Sequence, residues 1–219
     1  MMREATRTAG DGSRPDRPPG RAGEPEGSEE TTADRLLVLA AELFRQKGYG
    51  LTTTRELASR LGIQKASLYH HMRGKEDLLF AISMESLRRI TEAVTAARDS
   101  ADADRRLHAM IMAHMETALR DQDMHTTMLI ELRALSEERQ KEVRAQRDAY
   151  QDLLRSVISD DQSAGRLRGD IGAEYLTLSL LNLLNWTIFW FTAGGERTID
   201  ELAAMMSTIF LDGARVRQP

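Results

Sequence analysis

Thr53 to His71 reads TTRELASRLGIQKASLYHH, and the spacing is that of two short helices joined by a tight turn. Thr53, with Glu56 three residues on, has the form of an N-terminal cap and its reciprocal partner. The helix it opens is predicted to end before Gly62, where glycine tolerates the positive φ of a tight turn. Ala58 is small where a following helix must cross, and Ile63 and Leu68 can fill the notch between the two. That following helix is predicted from about Lys65 to Met72. Its outward residues are then Lys65, Ser67, Tyr69, His70 and, at its start, Gln64. Lysine reaches guanine edges or phosphates, a glutamine amide can read a base, and Tyr69 and His70 can donate to phosphate oxygens. Thr52, Thr54 and Lys75 stand beside the starts of the flanking helices, whose unpaired backbone N–H groups suit phosphates.

The pattern extends in both directions. Upstream, Thr31 and Asp34 repeat the cap spacing, Leu36, Leu39, Ala40, Leu43 and Phe44 recur at helical spacing, and Gly48 supplies a stop. Downstream, helices are predicted over 75–97, 104–120, 124–133, 136–159, 172–193 and 198–214, and no alternating strand pattern persists. The fold class is all-α, with an N-terminal three-helix helix-turn-helix unit at 31–77 and a helical ligand-binding and dimerisation unit at 78–219. Residues 1–30 hold four of the five prolines and five glycines with almost no apolar residues, a composition that predicts a disordered arm.

Composition narrows the function classes. The chain has 219 residues, 41% of them hydrophobic, which is enough for a sizeable core. Cysteine is absent, which excludes disulfides and thiol chemistry. The start of the chain lacks an apolar signal core, so a cytoplasmic location is expected. Net charge is −4, yet residues 31–77 carry eight Lys/Arg against five Asp/Glu, a local positive excess suited to a polyanion. From Tyr175 to Ala193 no charged residue occurs, but six Ser, Thr and Asn side chains within it point to a helix buried in protein rather than in a membrane.

The stretch from Leu36 through Leu79, with its run GIQKASLYHHMRGKEDLL, resembles the signature region of TetR-family regulators. The resemblance implies operator-backbone contacts from Tyr69, His70, Lys75 and Thr54, and base contacts from Gln64, Lys65 and Ser67. Two positions depart from the family pattern. Met72 replaces the usual aromatic residue, and Gln64 stands where a Ser or Thr often caps the helix.

The remaining 120 or so residues imply a second task. Leu176, Leu180, Leu183, Leu184, Ile188 and Phe191, then Leu202, Met205, Met206, Ile209 and Phe210, give the last two helices broad apolar faces. Such a pair suits an isologous four-helix dimer interface, or it caps its own core; the resemblance favours the homodimer. Arg147 falls on the apolar stripe of Val143, Tyr150, Leu154 and Val157. A guanidinium there has an internal carboxylate partner, snorkels to solvent, or holds an anionic ligand. Met115 and Met128 belong to a methionine-rich centre able to pack around a flexible ligand, and Asn182, Asn185 and Trp186 lie on the long uncharged stretch. The C-terminal half, from Glu131-Leu132-Arg133 through Arg147 and Tyr150 to Asn185-Trp186, resembles acyl-CoA-responsive TetR-like regulators of fatty-acid and sterol-ring catabolism. That likeness implies an elongated acyl cavity with basic side chains near the CoA phosphates.

The expected function is a dimeric repressor that binds double-stranded palindromic operator DNA and is released by a small effector, with an acyl-CoA thioester as the candidate. No cofactor is expected. A ligand-independent architectural DNA binder should be strongly basic, which this chain is not. A helical-bundle enzyme should show Glu-x-x-His pairs, His-Glu-x-x-His, a Walker loop or a nucleophile elbow, and none occurs. His108, His114 and His125 are scattered in sequence and suggest no metal set.

Overall fold

The computed structural model describes residues 31–215, with the side chains of His70 and His71 outside that description. The expectation of a disordered arm over 1–30 falls outside it too.

Helix α1 (Thr32–Lys47) opens on a reciprocal cap: the Thr31 hydroxyl accepts Asp34 N–H at 3.1 Å, and Asp34 Oδ2 accepts Thr31 N–H at 3.1 Å. It closes at Gly48, with φ of 87°. Helix α2 (Thr54–Leu61) is capped by Thr53, whose hydroxyl accepts Glu56 N–H at 3.2 Å, and stops at Gly62 with left-handed φ 71° and ψ 24°. Helix α3 (Lys65–His71) follows directly. Helix α4 (Lys75–Ser100) then begins where Asp77 Oδ2 accepts Arg73 N–H at 2.8 Å and Gly74 N–H at 3.0 Å. Helices α5 (Ala103–Arg120), α6 (Gln122–Ile130), α7 (Glu137–Ser163), α8 (Ala173–Asn185) and α9 (Ile199–Ala214) complete the described order. Among the described residues the only β pairing is a single antiparallel bridge, Leu167 with Arg215. No described helix is long and apolar enough to cross a membrane.

The long helix predicted over 172–193 is shorter in the structure. It ends at Asn185 and tightens into a 3₁₀ turn, Trp186–Phe189. β-branched and aromatic residues at 186–191 lose rotamer freedom in a helix. The carbonyls released there are not orphaned, because Gln122 Nε2 donates to Ile188 O at 2.7 Å and Phe191 O at 3.2 Å. Likewise the helix predicted over 124–133 stops at Ile130, and Leu132–Ala134 forms a separate 3₁₀ turn.

Two hydrophobic cores are stacked along α4. One joins α1, α2, α3 and the first half of α4 through Leu36, Phe44, Leu57, Leu68, Leu79 and Ile82, and it extends into α6 through Met124 and Met128. The other joins the second half of α4, at Ile90 and Val94, to α5, α7, α8 and α9. The N-terminal helices therefore share their core with α6.

The apolar faces of the last two helices are used differently from the sequence expectation. Leu176, Leu180, Leu184, Ile188, Leu202, Met206 and Phe210 are buried within this chain's own core. A second stripe points outward: Tyr175, Leu178, Trp186 and Phe189 on α8 and its 3₁₀ extension, with Met205 and Ile209 on α9. The spacing 175, 178, 182, 186, 189 follows one helix face, and the Trp186 and Phe189 rings sit 4.8 Å apart.

Candidate functional site

The helix-turn-helix head, α2 and α3 with the turn at Gly62, is built by local chemistry. Left-handed Gly62 turns the chain so that Ile63 N–H reaches Ala58 O at 3.0 Å, and the small side chain of Ala58 lets α3 approach α2. Leu57, Leu68 and Met72 fill the gap and are buried. Gln64, Lys65, Ser67 and Tyr69 are left exposed on α3, and Lys65 Nζ lies 5.8 Å from the Tyr69 ring centroid. Gln64 gives α3 no side-chain cap. Thr54 is half-buried at the first residue of α2. The His70 side chain lies outside the described residues.

Two residues expected beside phosphates are engaged elsewhere. Thr52 is 1% exposed, and its hydroxyl donates to Gly48 O at 3.1 Å and Leu43 O at 3.3 Å, closing the end of α1. Its burial leaves no exposed hydroxyl there to meet a phosphate. Lys75 Nζ donates to Tyr49 O at 2.5 Å, Thr52 O at 2.9 Å and Gly50 O at 3.4 Å, and lies 4.1 Å from the Tyr49 ring centroid. All three ammonium donors thus clamp the 49–52 loop onto α4. Desolvation lowers the Lys75 pKa, and the Glu131 carboxylate partly opposes that shift.

Behind the head lies a cavity of about 130 Å³ between α4, α5, α6, α7 and α8. Leu87, Ile90, Met128 and Leu181 give it apolar walls, and His114, His125, Tyr150 and Asn185 supply polar groups deep inside. Arg144, Arg147, Asp148 and Gln151 line its more exposed side. Of the residues expected to meet a ligand, the fold brings together Arg147, Tyr150, Met128 and Asn185. Met115 is fully buried but does not line the cavity. Asn182 and Trp186 do not line it either: both are exposed, Trp186 to 65%, because they fall on the outward stripe of α8 and its extension. The fold adds Arg144, Gln151, His114 and His125. The two histidines come from different helices, α5 and α6, so no period within one helix could have paired them.

The histidines form a hydrogen-bonded set. Asn185 Oδ1 can only accept, so His125 Nε2 donates to it at 3.1 Å, and Ser86 Oγ donates to His125 Nδ1 at 3.3 Å. His114 Nδ1 lies 2.6 Å from Tyr150 Oη. Burial lowers the His114 pKa to about 3, with the neighbouring His125 adding to the shift. Burial likewise lowers His125 to about 4, where the Asn185 contact opposes it and the Arg147 charge reinforces it. Burial raises the Tyr150 pKa. The interior of the cavity is therefore polar but uncharged at neutral pH. Its outer side is charged: among the described residues, neither Arg144 nor Arg147 has a carboxylate within ion-pair distance, and Arg144 donates only to Gln140 Oε1, at 2.7 Å. The internal salt bridge that would have made Arg147 purely structural is not formed among them.

Helix α6 connects cavity and head. His125 faces the cavity, while Asp123 pairs with Arg45 of α1 and Thr127 Oγ1 donates to Ala41 O at 3.3 Å. Just past its end, Glu131 Oε1 accepts Tyr49 N–H at 2.9 Å, in the loop that Lys75 clamps. Arg139 of α7 pairs with Asp77 and lies 3.6 Å from Glu76, fastening the start of α4.

Comparison with known proteins agrees with this arrangement. Residues 36–82 match the model of bacterial regulatory proteins of the tetR family, and residues 100–214 match that of the tetracyclin repressor-like C-terminal domain. The HTH-type transcriptional repressor KstR2 of Rhodococcus jostii is 29% identical over 184 residues, covering 81% of this chain and 88% of that protein. The crystal structure of the TetR-family regulator PfmR from Thermus thermophilus superposes with a TM-score of 0.77 at 32% identity, covering 82% of this chain and 98% of the other. The structure of AibR in complex with isovaleryl coenzyme A and operator DNA gives a TM-score of 0.74 at 27% identity, covering 82% and 97%. The chain belongs to the TetR family of bacterial transcriptional regulators.

Proposed function

We propose that this regulator is a homodimeric repressor released from its operator by an acyl-CoA thioester. The observation that carries the effector class is the pairing of two guanidiniums, Arg144 and Arg147, which lack carboxylate partners among the described residues, with a cavity whose interior is uncharged. An acyl group suits the interior, and the phosphates of CoA suit the arginines. Two relatives support the effector class and the repressor role, though not release itself: AibR was crystallised with isovaleryl coenzyme A and operator DNA together, and KstR2 is a transcriptional repressor by name.

Residues 31–77 form the DNA-binding head of this reading, and residues from 78 onward form the effector and dimerisation part. Gln64, Lys65 and Ser67 face the bases, Tyr69 and Thr54 the phosphates. The outward stripe of Tyr175, Leu178, Trp186 and Phe189, joined by Met205 and Ile209, is the dimer face, since contiguous exposed apolar area of this kind marks an interaction surface. A two-fold dimer then sets two α3 helices in successive major grooves, about 34–36 Å apart. An effector between α4 and α6 displaces elements fastened to the head, which alters that separation and lowers affinity for paired half-sites.

Fluorescence anisotropy tests the reading, using labelled DNA from upstream of the protein's own coding sequence titrated with acyl-CoA thioesters, their free acids and CoA. Saturable binding, reversed by a thioester but not by its acid or by CoA, supports it. Binding that none of them reverses removes the effector class, and absence of binding to any fragment removes the repressor.

A further inference from the structure

One polar atom deep in the cavity stands unpaired. His114 is 1% exposed, lines the cavity, and its Nε2 has no hydrogen-bond partner among the described residues. Buried polar groups are nearly always paired, so an unpaired one calls for a physical explanation. The Asn185 amide comes close enough to favour a charged His114 slightly, but no bond of acceptable geometry joins them, and Asn185 Oδ1 already accepts from His125.

The hydrogen-bond inventory fixes what this atom offers. His114 Nδ1 and Tyr150 Oη are 2.6 Å apart, so one donates to the other. Were the imidazole the donor, the Tyr150 hydroxyl hydrogen and His114 Nε2 would both be left unpaired. With the hydroxyl donating, only one group remains unpaired, and it is an Nε2–H donor. The neighbouring His125 is satisfied at both nitrogens, so the cavity presents one imidazole donor awaiting an acceptor.

We infer that His114 is a specificity-determining residue of the effector site, and that its Nε2–H donates to a neutral carbonyl oxygen of a short acyl group held in the cavity. This rests on the effector reading above and adds to it the size and polarity of that group. A cavity near 130 Å³ is close to the roughly 150 Å³ space that holds a benzene-sized molecule, so it takes a short or branched acyl chain and not a fused ring system. The apolar walls of Leu87, Ile90, Met128 and Leu181 suit the carbon chain. The acceptor is either the thioester carbonyl or a ketone carried further along the chain.

Two matched pairs of ligands, measured by isothermal titration calorimetry, separate these sources and test the inference. The first is isovaleryl-CoA against S-(3-methylbutyl)-CoA, a thioether lacking only the carbonyl oxygen. The second is 4-oxopentanoyl-CoA against 4-methylpentanoyl-CoA, in which a methyl group replaces the ketone oxygen. In at least one pair the oxygen-bearing member is expected to bind about tenfold more tightly, the scale of one hydrogen bond whose loss strands a buried donor. The discriminating pair identifies the acceptor. In His114→Phe that preference falls to about twofold or less. Should this variant not fold, ¹⁵N-resolved spectra of the wild-type histidine side chains read the same bond, as a shift of the His114 Nε2–H resonance with the oxygen-bearing ligand alone. Equal affinities within both pairs, or an undiminished preference in His114→Phe, overturn the inference while leaving the effector class standing. Failure of all four to bind overturns the inference, and failure of the wider thioester panel to release operator DNA overturns the effector class as well.

Discussion

Glu131, the first residue beyond α6, accepts the backbone N–H of Tyr49 at 2.9 Å, so the helix that carries His125 into the cavity is tied to the loop in front of the reading head. The Tyr49 carbonyl oxygen in turn accepts from Lys75 Nζ at the start of α4. The two cavity-lining helices closest to the head therefore meet at one loop.

That junction predicts an uncoupling variant. Glu131→Ala should bind the effector with near-wild-type affinity yet need about fivefold more of it to release DNA, which is the scale of a 1 kcal/mol coupling. Calorimetry for the effector and anisotropy for release check the two halves separately. Parallel losses in both would mean that Glu131 supports the cavity and not the connection.

Lys75 makes a second prediction because its ammonium is fully engaged with loop carbonyls. Lys75→Ala should weaken DNA binding by loosening the 49–52 loop, and the slope of log K against log salt should stay at the wild-type value. A lysine that neutralised a phosphate would reduce that slope by about 0.9. Binding measured across a salt series decides between the two.

The outward stripe predicts assembly. Trp186→Asp places a charge at a position 65% exposed, where the described aromatic contact is with the equally outward Phe189, so the monomer should fold normally while dimerisation weakens. Sedimentation velocity should show a shift toward monomer with unchanged helical circular dichroism. A dimer of undiminished stability would move the interface elsewhere.

Acid should destabilise the fold through the buried histidines. Their folded pKa values, about 3 and about 4, lie below the ordinary value of 6.5, so the unfolded state binds more protons as pH falls through 6.5. Stability is thus fully present above that pH and declines toward pH 4, by up to about 1.4 kcal/mol per pH unit for each histidine. Urea unfolding between pH 6.5 and 5, above most carboxylate titration, isolates this contribution. His114→Gln should remove about half of the slope, and a flat wild-type profile would contradict the assigned protonation.

Where contacts are local, the amino-acid sequence makes the fold legible. Thr53, Ala58 and Gly62 specify the turn between α2 and α3 through contacts a few residues apart, and the structure has the Thr53 cap, close approach and positive φ, although the Glu56 carboxylate pairs with Lys47 and does not return a bond to Thr53. Thr52 is not legible in the same way, because whether its hydroxyl faces solvent or the preceding helix end depends on how Gly48 turns the chain. On α8 two apolar stripes share one sequence, and periodicity alone does not say which faces inward. Asn185 turns in, while Asn182 and Trp186 turn out. The break at Trp186 depends on Gln122, more than sixty residues away, and the approach of His114 to His125 depends on how α5 packs against α6.

The most direct test of the effector reading compares wild type with the Arg144→Met/Arg147→Met double variant in the anisotropy assay. Equal affinity for the operator fragment is expected, with at least about tenfold more thioester needed to reach half-release, since two charge-assisted contacts to phosphate are lost. Identical release curves would contradict it, because the effector would then be acting without the two guanidiniums beside the cavity.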